Sequence, residues 1–139
     1  MMNLEDAKKE LREYRDNIKY IDEKQLDAEE LKARILNISA KLSDMPSGKG
    51  ANPERAPLEE TLDKLKEIEK DCSNKLQELL VKKFVVENKI EQLEQPYQSI
   101  FYLQFIRGMK LPLIANELNY SIQHTKRMSK DALEKYANL

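Results

Sequence analysis

The chain has 139 residues, 35% of them charged and 6% aromatic, with a formal net charge of −1, no Trp, three Gly, one Cys and one His. So few glycines beside abundant Glu, Lys, Leu and Ala argue against a strand-rich domain and predict an all-α chain. The lone Cys excludes an internal disulfide and has no His or other base at a fixed helical offset, and the lone His has no Cys or His partner with which to hold a metal, so neither an enzyme nor a cofactor is expected.

No stretch approaches the roughly 20 apolar residues that span a bilayer, so no membrane partner is expected. The opening MMNLEDAKKELREYRDN is charged from the start and lacks the apolar core of a signal peptide, which predicts a cytoplasmic protein.

A first helix is predicted from about Asn3 to Leu42. Asn3 is the cap, and Glu5 and Asp6 suit the positive end of the helix dipole. Leu4, Ala7, Leu11, Tyr14, Ile18 and Ile21 recur at threes and fours, the seam of a coiled coil. The register falters between Asp22 and Ala28 and resumes on a shifted phase with Leu31, Ile35, Ile38 and Leu42, which predicts a stutter or a kink. Residues 43–57, SDMPSGKGANPERAP, hold three of the five prolines and two of the three glycines and read as a flexible loop. The SGKG fragment lacks the spacing and the preceding strand of a phosphate-binding loop.

A second helix is predicted from about Leu58 to Leu93. Leu58, Leu65, Cys72, Leu79, Val86 and Leu93 fall at strict sevens, while Leu62, Ile68, Leu76, Leu80 and Ile90 broaden the stripe. Cys72 lies in this seam and is expected to pack as a small hydrophobe. Residues 1–94 thus read as a long antiparallel helical hairpin. Its stripes are too broad for two helices alone to cover, so a homodimer is expected.

Gln95-Pro96 ends that hairpin, and residues 95–139 form a second region. A helix from Tyr97 to about Arg107 carries Ile100, Phe101, Leu103, Phe105 and Ile106 as core, with Gly108 offering a left-handed C-cap. A short helix follows from Leu111 to Leu118, with Pro112 in its first turn and Ile114, Ala115 and Leu118 as its apolar stripe. Asn119 can take the left-handed cap, and Ser121 can cap the next helix. There Ile122, Thr125, Met128, Ala132 and Leu133 fall on one side; Gln123, Lys126, Arg127 and Lys130 fall on the other.

Two short helices about a tight turn, the second with a basic outer face, match a helix-turn-helix that lays its second helix in the major groove of duplex DNA. The segments YRDNIKYIDEK, YQSIFYLQFIRGMKLPLIANELNYS and HTKRMSKDALEKY carry a further likeness. Residues 97–136 resemble the promoter-reading last domain of sigma factors. Most of the chain resembles the phage-encoded late-transcription regulators of the ArpU and RinA type. Two positions depart from that pattern: Asn119-Tyr120 where the turn usually has Gly or another small residue, and Thr125 where Val is usual. The resemblance implies a DNA-binding regulator of phage or mobile-element late genes, with RNA polymerase or another phage regulator as a possible protein partner.

Charge supports the same end of the chain. Residues 95–139 carry six basic and three acidic side chains, net +3, and the other 94 residues carry net −4. The candidate DNA contacts are Ser121, Gln123, His124, Lys126, Arg127, Lys130 and Lys110. Gln123 suits adenine, Arg127 or Lys126 suits guanine, and Lys110 and Lys130 suit phosphates. The alternative is a modulator that captures another regulator or RNA polymerase through its coiled coil, with little affinity for DNA. A phage small-terminase subunit joins the same two parts, but usually with the DNA reader first.

Overall fold

The computed structural model describes residues 2–46 and 53–139. Its elements are α1 (Leu4–Asp44), α2 (Arg55–Gln92), α3 (Tyr97–Phe101) running on as a π-helical turn (Tyr102–Ile106), α4 (Leu111–Leu118) and α5 (Ile122–Ala137). The chain is all-α, with a long antiparallel helical hairpin and small C-terminal helices. It divides into two compact units: Met1–Lys19 with Leu80–Leu139, and Tyr20–Leu79. The first unit therefore joins both ends of the hairpin to residues 95–139.

Local chemistry accounts for most of the boundaries. Asn3 caps α1, its Oδ1 accepting from the Asp6 N–H at 2.7 Å, one of the donors that a helix start leaves unpaired. The register change at Asp22–Ala28 leaves α1 unbroken, and small Ala28 is the residue buried there. The helix ends at Asp44, two residues beyond the sequence expectation, just before Pro46. At the other side of the connection α2 starts at Arg55, three residues early. Pro57 falls in that first turn, where its missing N–H costs nothing. The predicted loop 43–57 thus loses residues to both helices, and its residues 47–52 lie outside the described residues.

In the unit Tyr20–Leu79, α1 and α2 run antiparallel. The Cys72 thiol donates to the Lys24 carbonyl at 3.6 Å, and the Arg55 guanidinium donates to the Leu42 carbonyl at 3.0 Å. Ile21, Ala28, Cys72 and Leu79 are its buried apolar residues. Cys72 packs in the seam as expected. Leu31, Ile35, Ile38 and Leu42 are only half-buried.

The other unit holds a larger core, in which Ala7, Leu11, Tyr14, Val86, Ile90 and Leu93 of the long helices meet Ile100, Phe101, Ile114, Ala132, Tyr136 and Ala137. Phe101 is its aromatic centre, edge-on to Phe105 at 4.9 Å and tilted against Tyr136 at 6.1 Å. The core has one polar knot. Glu10 Oε1 accepts from the Tyr136 hydroxyl at 2.6 Å and from Lys89 Nζ at 3.1 Å. Three helices, α1, α2 and α5, are thereby fixed to a single carboxylate, and a charged acceptor makes each of these bonds stronger than a neutral pair.

Three apolar residues depart from their expected places. Leu4 and Ile68, read as seam residues, are exposed, as is Ile122, read as sharing a helix side with Thr125, Ala132 and Leu133. Leu4 and Ile122 belong to the first turns of their helices, and Ile68 is one of the residues that broaden the stripe of α2 beyond its strict sevens.

Candidate nucleic-acid interface

The interface is built on the turn between α4 and α5. α4 opens at Lys110, whose backbone is extended, with Pro112 in the first turn. It closes at Asn119, which adopts the left-handed conformation (φ 57°, ψ 38°). The Tyr120 N–H donates back to the Ala115 carbonyl at 2.9 Å, closing the helix as a Schellman turn does. Asn adopts this conformation more readily than other non-glycine residues, so it does the work of the glycine usual in such turns. Gly108 plays the matching part after the π-helical turn, at φ 69°, where the Met109 N–H reaches the Leu103 carbonyl at 2.9 Å.

Ser121 then starts α5, its Oγ accepting from the His124 N–H at 3.1 Å. Ala115 is buried at the foot of the turn, as close approach of two helices requires. Thr125 is fully buried. Its hydroxyl donates to the Ser121 carbonyl at 3.0 Å, so a polar residue stands in an apolar position without an unpaired group.

This frame sets the outer face of α5. Gln123, Lys126, Arg127 and Lys130 are all exposed. Among the described residues, none of these three cations has a carboxylate within the 4.0 Å of an ion pair. His124 is half-buried, edge-on to the Tyr120 ring at 4.8 Å, with its Nδ1 3.5 Å from an Arg127 guanidinium nitrogen. It therefore braces Arg127 from the side and leaves the outward positions to its neighbours. Ser121 is committed to its capping bond, with its exposed side chain beside the same first turn.

Lys110 lies apart from that helix face, on a groove it shares with Arg15, Lys19, Arg107 and Asp16. Two further exposed groups were missed by the sequence reading. Ile122 and Leu113 project from the starts of α5 and α4.

No family model, no curated protein and no solved structure matches this chain.

Proposed function

We propose that the chain is a sequence-specific DNA-binding regulator that lays α5 in the major groove of duplex DNA. The observation that carries this reading is the outer face of α5. A donor-rich amide and three unpaired cations stand exposed on one helix face, directly after a capped turn. Gln123 reads adenine and Arg127 guanine; Lys126 and Lys130 hold phosphates at the edge of the groove, with Lys126 also within reach of guanine.

The likeness to ArpU- and RinA-type proteins supports late genes of a phage or mobile element as the target, and with it a cytoplasmic site of action. No helix among the described residues is long and apolar enough to cross a membrane. The long helices serve a homodimer, which would set the spacing of two half-sites. In support, Val81, Phe84 and Val85 stand exposed on α2.

The test is selection of bound fragments from the source element's own DNA at about 0.15 M salt, where non-specific affinity is weak. One discrete site upstream of a gene cluster supports the reading. Recovery of no fragment by the folded protein refutes it.

The exposed Val81, Phe84 and Val85 also favour the second reading, a modulator that captures another regulator or RNA polymerase through the long helices. That reading predicts tight protein association that is lost in Phe84→Asp, together with DNA affinity too weak to select a site.

A further inference from the structure

The first helix carries a basic stripe that the C-terminal helices complete. Lys8, Arg12, Arg15 and Lys19 follow one another at steps of four, three and four, which places them on one face of α1. Lys8, Arg12 and Arg15 line a groove of about 410 Å³ together with Lys126 and Lys130 of α5, over a floor that includes Phe101 and Phe105. Five cations and no carboxylate line it. Among the described residues, Lys8 alone of the five has a carboxylate within 4.0 Å, Glu5 on its own helix at 3.7 Å and well exposed, a pairing of little energetic weight. Arg15 is held in place. Its guanidinium donates to the Gln104 carbonyl at 3.2 Å and lies 5.3 Å over the Phe105 ring. Ser129 of α5 bonds Gln104 Oε1 at 3.0 Å, which fixes the far wall.

Lys126 and Lys130 border both this groove and the outer face of α5. A helix seated in a major groove has a phosphate backbone along each flank, one or two residues round from the side chains that read bases. We infer that Lys8, Arg12 and Arg15 hold the DNA backbone that flanks α5, so that the first helix of the chain is part of the nucleic-acid interface. This inference rests on the reading of α5 as the major-groove helix. Phosphate is the occupant favoured here because five cations converge from two elements on one groove with no carboxylate in its lining, the charge pattern that neutralises a phosphate backbone.

The experiment uses the full chain with Lys8→Gln and Arg12→Gln together. Among the described residues neither side chain bonds another element, so the fold is expected to survive. Lys32→Gln with Arg34→Gln, in the other unit, matches the charge change. Affinities for a random 20-base-pair duplex and for the selected site are measured by anisotropy between 0.05 and 0.2 M salt.

Each lost phosphate contact lowers the slope of log affinity against log salt by about 0.9, and at 0.1 M lowers the affinity by roughly eightfold. The double variant should therefore lose up to about 1.8 in slope and roughly sixtyfold in affinity, equally on both duplexes, with the control unchanged. Slopes equal to those of the control overturn the assignment while leaving α5 as the reader. A wild type with no duplex affinity at 0.05 M salt overturns both. If that wild type instead binds poly-glutamate, and the double variant does not, the groove is a surface for an acidic protein.

Discussion

The polar knot at Glu10 offers the sharpest test of how the first unit is held together. Tyr136→Phe removes one hydroxyl and leaves the ring in its contacts with Phe101. The lost bond is the 2.6 Å donation to Glu10 Oε1. A hydrogen bond to a charged acceptor contributes about 1.5–3 kcal/mol net, against roughly 0.5–1.5 for a neutral pair. Glu10 keeps Lys89 after the substitution, so its charge is not left without a partner and the cost should stay within the first range. In a Glu10→Gln background the same Tyr136→Phe change should cost only the neutral value, giving a coupling of about 1 kcal/mol across the double-mutant cycle. Urea denaturation followed by circular dichroism measures each corner, with unchanged m-values as the check that only stability has moved. A loss below about 0.5 kcal/mol in the wild-type background, or a cycle that closes to zero, would refute the claim that Glu10 binds α5 to the hairpin.

Alkaline titration tests the burial of two tyrosines. Burial, with the Glu87 carboxylate adding to it, raises Tyr14 to about 12, and burial with the Glu10 bond raises Tyr136 as well. Both folded values lie above the unfolded one, so their stability is fully present below pH 10 and is lost as pH rises. The loss from Tyr14 falls between about pH 10 and 12, and Tyr14→Phe should flatten stability against pH in that window; an unchanged slope contradicts it. Thr125→Val is expected to change stability by less than about 1 kcal/mol, because the Ser121 carbonyl keeps the Thr125 N–H at 3.0 Å. A loss of 2 kcal/mol or more would show that the hydroxyl bond anchors the turn. Asn119→Val should cost about 1–2 kcal/mol through its left-handed backbone, whereas Asn119→Gly should be tolerated; thermal melts of the two variants that coincide would refute strain at this cap. On DNA, Arg127→Ala should relax sequence preference, and Lys130→Ala should weaken all duplexes about equally. Competition binding with specific and random duplexes measures this, and equal losses on both duplexes for both variants would remove the division of roles.

What the sequence determined by itself was local. Asn3, Gly108, Asn119 and Ser121 each act on backbone within six residues, so their capping roles could be read from residue type and position. The strict sevens of α2 placed Cys72, Leu79, Val86 and Leu93 in the buried seam for the same reason: helical periodicity is a local property. The outward set Gln123, Lys126, Arg127 and Lys130 followed from the turn and the 3.6-residue repeat.

Tertiary structure decided the rest. Whether Leu4, Ile68 and Ile122 are covered depends on where a neighbouring helix begins and how wide it is, which no spacing within one helix records. Glu10 looked like one acid among many until Tyr136 and Lys89 converged on it from positions 126 and 79 residues away. The stripe Lys8, Arg12, Arg15 and Lys19 was present in the sequence, but helical spacing says nothing of what lies beside it. Only packing of α1 beside α5 turns it into the wall of a basic groove, because charge density depends on distance in space and not along the chain.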